Sequence, residues 1–535
     1  MQLFRKSFLF SIVIALLFIV SACSSDSQTE SKSNGQQGEE NLEPKSGGVL
    51  NVGLASNINT LDPTKYTGAY ESQVIRAIGD TLIAYSKDFS DFVPSLATEW
   101  TVSEDMLSYT FKLRDDVYFQ PGEYQDGRQM TAEDVKYSLE RSVNDSALNR
   151  LTGVESFEVT GEFEVTMHLT APNASILAML TDPGNIIVPK EEVEGWGDQF
   201  GSHLVGTGPF QFVDWQTDQQ VKVERHENYW GETPYLDGVV YKIIPDPNMM
   251  TNAIRSGDID IATNISGQNR AVIEQDSNLE LLSVPGLALT YLDLNYQSGP
   301  TADPKVREAI YKATNVEEIA QGVNQWGGGS VSYAPLPQES WGYSEELESL
   351  KPAYNPEEAK SILAETDYAD GFSIELYVLE SRVPYATIFQ NQMKENLNID
   401  VDIKVTEWGT LSTIASQGNA PMYIGGWSWY PDPYFFLNQT FHSSQIGSLG
   451  NGKGYSNPEV DALLDRALSE TVVQEERAAL YQEAIAIIMS EYARVELDNL
   501  HQTAAIRPNV KGFNVAVDPS IQIVSPNGTN VWLNN

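Results

Sequence analysis

The sequence predicts an α/β fold, on three observations: helices that open on an Asx-proline pair, short strand-like segments between them, and one complete βαβ unit in the second half. That unit runs through residues 374–379 as a strand, 385–397 as a helix and 401–408 as a second strand. A βαβ unit implies a parallel pair joined by a right-handed crossover, hence a doubly wound lobe whose strand ends face a cleft where ligands sit.

The other elements follow in chain order. Residues 109–113, 165–169, 221–225 and 239–244 have the length and the β-branched or aromatic content of strands, and residues 289–296 are a further candidate. Thr131 opens a helix, with Asp134 placed as the acid of a capping box. Asp303-Pro304, Asn355-Pro356 and Asn457-Pro458 open three more. In each pair the Asx side chain caps free amides, and proline follows at the position where no amide is missed. Behind them Val306, Ala309, Ile310 and Ala313, then Ala359, Ile362 and Leu363, then Val460, Leu463, Leu464 and Ala467 make apolar faces at helical spacing.

Composition bounds the function. The 535 residues, 41% hydrophobic and 10% aromatic, suffice for two or more domains with real cores. With Cys23 the only cysteine, no intrachain disulfide forms. Lys and Arg number 33 against 74 Asp and Glu, a formal net charge of -41, so nucleic acid is not a partner. That charge reads first as a solvated acidic face, with a field attracting cationic solutes as the alternative, since net charge does not say which sign lines a pocket.

At the N-terminus Arg5 and Lys6 precede an apolar run over residues 8–20, which ends in Val20-Ser21-Ala22-Cys23. The run is short for a membrane span and suits the core of an export signal. The tetrapeptide resembles a bacterial lipobox, so residues 1–22 are expected to be a lipoprotein signal peptide, with Cys23 lipidated. Residues 23–47, polar and rich in Ser, Gln, Glu and Gly, are expected to be a flexible tether. No second run long enough to span a bilayer follows, which excludes a permease.

Catalytic motifs are missing. His168, His203, His226, His442 and His501 are scattered without chelating spacing, and neither a GxSxG elbow nor a GxxxxGK[ST] loop occurs. Gly327-Gly328-Gly329-Ser330 lacks the lysine of such a loop. No catalytic residue, metal or cofactor is expected. The unusual stretch is Trp408, then Gly425-Gly426-Trp427-Ser428-Trp429-Tyr430-Pro431-Asp432-Pro433-Tyr434-Phe435-Phe436. Rings interrupted by glycine and proline cannot all enter one core, so some are expected to line a pocket that grips apolar stems or sugar faces, with a buried aromatic cluster bracing a long loop as the alternative.

The order of many short segments carries a resemblance. Asn59-Thr60-Leu61-Asp62-Pro63, Val93-Pro94-Ser95-Leu96-Ala97-Thr98-Glu99-Trp100, Gly206-Thr207-Gly208-Pro209-Phe210, Asn228-Tyr229-Trp230-Gly231, Val306-Arg307-Glu308-Ala309-Ile310 and Tyr455-Ser456-Asn457-Pro458 stand in sequence from Gly53 to Phe513. In this the chain resembles the extracellular solute-binding proteins of ABC importers, in the dipeptide, oligopeptide and nickel-binding family. The resemblance implies a two-lobed periplasmic-binding-protein-like fold (type II, cluster C) with an additional subdomain in lobe I. Lobe I is expected at residues 48–290 with the subdomain at about 78–203, lobe II at 291–504, and residues 505–535 returning to lobe I. The implied function is capture of a peptide by lobe closure and delivery to membrane permease subunits, by a lipid-anchored monomer outside the cytoplasmic membrane and without chemistry on the solute.

The same resemblance implies ligand contacts at Trp408, Gly426, Trp427, Ser428, Trp429, Tyr430 and Asp432. In the family's peptide binders an aspartate a few residues after the pocket tryptophan often pairs with the peptide's α-amine. Here that segment is shortened and Trp429 lies nearby, so Asp432 is the nearest candidate acid, or else a turn cap beside two prolines. Oligosaccharide binding, favoured by the tryptophans, nickel or metallophore binding, and a sensor role without a permease remain as alternatives.

Overall fold

The computed structural model describes residues 43–263, 265 and 267–534. The expected signal peptide, Cys23 and residues 24–42 of the tether lie outside them.

A single mixed sheet runs through the molecule in the order Asp400–Val405, Ser373–Val378, Met422–Ser428, Glu280–Leu294, Arg494–Ile506, Ile261–Thr263, Val49–Leu54, Gly238–Ile243, Gln220–Arg225, Phe210–Gln216, and Gly329–Val331 pairs alongside Arg494–Ile506. Two long strands join its halves. Glu280–Leu294 and Arg494–Ile506 pair antiparallel along their length, from Glu280 opposite Ile506 to Asp293 opposite Arg494. Their register shifts between Pro285 and Ala288, where the pairing passes from one core to the other. Proline donates no ladder hydrogen bond, and a bulge bends the strand that carries it. A side chain at Gly286 would meet the Leu500 carbonyl oxygen at 2.8 Å, so the bend needs glycine.

Each half builds its own core. Leu50, Val52, Phe210, Val239 and Tyr241 pack with Ile506, Ile523 and Val531, so the C-terminal tail closes the first core. Leu292, Ile310, Leu376, Phe389, Val401 and Val495 form the second. The predicted βαβ unit is there: Ser373–Val378 and Asp400–Val405 pair in parallel across the helix Val383–Leu397. A separate four-stranded antiparallel sheet, Ala97–Val102, Ser108–Leu113, Glu164–Leu169 and Val154–Gly161, is braced by the helix Ala132–Asp145. Its core is continuous with Phe435, Phe436, Tyr481 and Ile485 of the second half, so the halves are packed against each other. The architecture is thus α/β with two halves, each around its own core, joined by two long strands.

The helix starts obey the capping argument. Asp303, Asn355 and Asn457 accept hydrogen bonds from the amides of Lys305, Glu358 and Glu459, each with proline in the first turn. Asp134 accepts from the Thr131 amide at 2.9 Å. Two expected strands are corrected. The candidate at 289–296 begins at Glu280 and ends at Leu294; Pro285-Gly286 conceals the first part, because both residues read as strand breakers. The strand expected to reach Trp408 ends at Val405: Glu407 stands extended at the N-cap position of a helix, Trp408–Ser416, where its Oε1 accepts from the Thr410 hydroxyl at 3.2 Å.

Candidate functional site

The strand Met422–Ser428 pairs antiparallel with Ala288–Leu294, which sets Trp427 opposite Leu289 and Gly426 opposite Thr290. Its first residues are buried, and its end, Gly426 to Ser428, emerges at the edge of the core. The glycines are sterically required. A Cβ at Gly425 would fall 2.7 Å from the Tyr291 ring, and one at Gly426 2.5 Å from Arg382 Nη2. The Arg382 guanidinium therefore lies across this glycine pair, with Nη1 donating to the Gly425 carbonyl at 2.9 Å. Arg382, Trp408, Gly426, Trp427 and Ser428 line one cavity of about 190 Å³ beside Leu500 of the crossing strand. Trp408 stands at its rim, 56% exposed.

The rings beyond are fixed by one another. Trp427 Nε1 donates to the Phe435 carbonyl at 2.6 Å, and the Trp427 and Trp429 rings lie 6.4 Å apart at 22°. Trp429 in turn stacks over Phe435 at 5.9 Å and 14°. Trp429 and Asp432 lie away from this cavity. Asp432, 1% exposed, accepts from Arg477 Nη2 at 2.9 and 3.1 Å and from the Tyr434 amide at 2.9 Å. Its carboxylate is thus held by a buried guanidinium, and its turn-capping bond is also present. The same Arg477 nitrogen reaches Ser175 Oγ at 2.6 Å, beside the four-stranded sheet.

Tyr430 points across to the other half. Its hydroxyl donates to Asp182 Oδ2, while Asp182 Oδ1 accepts from the Tyr66 hydroxyl at 2.8 Å and the Gly184 amide at 2.6 Å. Arg150 Nε stands 3.0 Å from the same oxygen, and its guanidinium covers the Tyr66 ring at 3.7 Å. The Ala174 amide also donates to the Leu468 carbonyl at 2.9 Å. Tyr430 and Pro431 close a second cavity, about 70 Å³, against the end of the helix Ala69–Ile78, Tyr85, Ser95 and the C-terminal segment from Asp518. A third, about 230 Å³, adjoins it and shares Asp518 and Ile521 with it. Asp80 lies in the second cavity's wall; burial pushes its carboxyl up to about 6, although Trp230, Thr207 and Tyr229 donate to it.

Sequence reasoning missed Arg382, Asp182, Tyr85 and Ser95. Arg382 carried a signal: it follows the strand Ser373–Val378, at the strand end of the βαβ unit where ligands of doubly wound lobes sit. Among the described residues no cluster of His, Cys, Asp and Glu could hold a metal ion, and no helix is long and apolar enough to cross a membrane.

A cavity at an emerging strand end, lined by two tryptophans and a half-buried arginine beside the long strands that join the two halves, is the kind of site a solute-binding protein offers. Residues 91–448 match the family described as bacterial extracellular solute-binding proteins, family 5 Middle. Similar proteins include heme-binding protein A of Haemophilus influenzae, 31% identical over 81% of this chain and 83% of that one. The dipeptide-binding protein of Escherichia coli is 28% identical over 82% and 86%. Among solved structures, the periplasmic binding protein DppA of Helicobacter pylori in complex with the peptide STSA matches at a TM-score of 0.76 and 28% identity, over 92% of this chain and 99% of that one. HbpA2 of Haemophilus parasuis matches at 0.83 and 24% identity, over 91% and 100%, which speaks to the fold. This chain belongs to the family 5 extracellular solute-binding proteins of ABC importers.

Proposed function

We propose that this protein is the membrane-anchored, extracytoplasmic substrate-binding component of an ABC importer, and that it captures a peptide by closing its lobes and delivers it to the permease. The anchor in this reading is lipidated Cys23, the lobes are residues 48–290 and 291–504 with the tail 505–535 returning to the first, and the extra subdomain covers about 78–203. The observation that carries the peptide reading is Arg382 laid across Gly425 and Gly426 beside Trp427. These groups answer a peptide's chemistry: a guanidinium for a carboxylate, an indole for an apolar side chain, and a strand end for main-chain hydrogen bonds. Relatives named for dipeptide binding, and a similar structure holding a peptide, support it. Closure follows from contact with both lobes, since binding energy available only in the closed form shifts the population toward it.

Native mass spectrometry of the gently purified protein, followed by calorimetric titration with Ala-Ala and tetra-alanine, tests the reading. Co-purified mass in amino-acid increments, or saturable binding of either peptide, supports it. Hexose increments would move the assignment to an oligosaccharide, and a bare protein that binds neither peptide would overturn it.

A further inference from the structure

The cavity behind Tyr430 is walled by polar groups that folding leaves unmet. The Tyr85 hydroxyl and the Ser95 hydroxyl have no hydrogen-bond partner among the described residues, and these side chains are 8% and 2% exposed. Tyr85 is not free to turn elsewhere, because its ring packs on Phe89 at 5.5 Å and Phe92 at 4.9 Å. Arg76 Nε is likewise unpartnered, while its Nη1 donates to the Thr181 carbonyl at 3.4 Å and its Nη2 stands 4.0 Å from Asp518. Buried polar atoms nearly always find partners, and donors left over in one cavity point to an acceptor that arrives later. One turn back on the same helix, Gln73 shows the opposite character. Its Nε2 donates to the Pro519 carbonyl at 2.9 Å and its Oε1, buried in the adjoining cavity, has no partner among the described residues.

We infer that the two adjoining cavities form a second solute subsite that takes an amide group, its carbonyl received by Tyr85, Ser95 and Arg76 and its N–H by Gln73. A neutral amide suits the charges better than a free carboxylate, because Asp518 already stands beside Arg76 and would repel a second anion. The place also suits a solute. Tyr430 and Pro431 reach the chamber from the half that carries Trp427, so it is completed only when the halves meet. The inference rests on the peptide reading and deepens it: a solute with amides beyond the Arg382 cavity gains from the chamber, and a dipeptide held at Arg382 gains little.

The full chain, and its Tyr85→Phe/Ser95→Ala variant, are titrated with Ala-Ala and tetra-alanine. Tetra-alanine is expected to bind the wild type about ten-fold more tightly than Ala-Ala, with that advantage lost in the variant and Ala-Ala affinity kept. The thermal midpoint of the unliganded variant should not fall, since only unmet hydroxyls are removed. A tetra-alanine advantage that is absent, or that survives in the variant, overturns the inference. If neither peptide binds, the peptide reading fails by itself, and co-crystals with N-methylacetamide decide the chamber. The probe bound to Tyr85, Ser95 and Arg76 in the wild type and lost from the variant supports the subsite, whereas only water there overturns it.

Discussion

Two buried clusters of charge in this protein differ in which halves of the chain supply them. In the second half Lys453 Nζ stands 3.5 Å from Asp293, which also accepts from the Tyr423 hydroxyl at 2.6 Å, and Arg494 Nε donates to Glu496 at 2.6 Å. Every member comes from that half. The cluster at Asp182 crosses the lobes, but only through the Tyr430 hydroxyl; Tyr66, Gly184 and Arg150 hold the carboxylate from its own side. Breaking the first takes the countercharge from a buried ammonium, which keeps the Thr440 carbonyl at 2.7 Å and the Phe441 ring, whereas withdrawing Tyr430 leaves Asp182 with its charged partner Arg150 and its other donors. The charges within one half are therefore expensive to separate, whereas the contact between the halves amounts to one hydrogen bond to a carboxylate that keeps its other partners.

The largest expected effect breaks the first cluster. Asp293→Ala, which strands Lys453, should lower unfolding free energy by about 3–5 kcal/mol, measured by denaturant titration. A loss under about 1 kcal/mol would show that water reaches the site and that the contrast between the clusters is false. Next comes the crossing contact. Tyr430→Phe should shift the unliganded protein toward the open form by roughly ten-fold, at the cost of one hydrogen bond to a carboxylate, with little change in thermal midpoint. Small-angle scattering reads this as a larger radius of gyration, and an unchanged radius together with a lowered midpoint would make the contact purely structural.

A smaller effect lies in pH. Burial pushes the Glu496 carboxyl from 4.5 up to about 7, ahead of the opposing pull of Arg494. Between those values the folded protein holds a proton the unfolded chain has lost, so stability should fall as pH rises from 4.5 to 7. Glu496→Gln should flatten that part of the midpoint profile and leave the share from Asp80, whose burial acts alike between 3.8 and about 6. Burial also pulls Lys453 from 10.5 down to about 8; there the unfolded chain binds the extra proton, so stability should recover as pH rises from 8 to 10.5. A profile flat over both ranges in the wild type would show that burial does not shift these groups in the folded protein. The smallest effect is expected at the rim: Trp408→Ala should leave the midpoint unchanged and weaken solute binding only a few-fold, by about 1 kcal/mol or less.

What was legible in the sequence was local. Asx-proline starts, the capping box at Thr131 and the βαβ unit depend on residues a few positions apart, and each is present. The crossing strand Glu280–Leu294 was only half legible, because its bend is written in two residues that elsewhere end strands. In the site, Gly426, Trp427 and Ser428 announced themselves by composition and share a cavity. Asp432 could not be judged from its neighbours, since Arg477 lies 45 positions away in sequence and against it in space. Tyr85 and Ser95 carried no signal, being ordinary residues whose meaning lies in the partners they lack.

On the proposed closure, the Tyr430 hydroxyl would also separate occupancy from transport. It can meet Asp182 only if whatever fills the cleft leaves room for the lobes to come fully together. A molecule that satisfies Arg382 and Trp427 but props this tyrosine away from its carboxylate would occupy the protein without becoming cargo. Among close analogues of the true solute, some would then act as competitive inhibitors of uptake, and bulk near Tyr430, rather than affinity, would tell the two kinds apart.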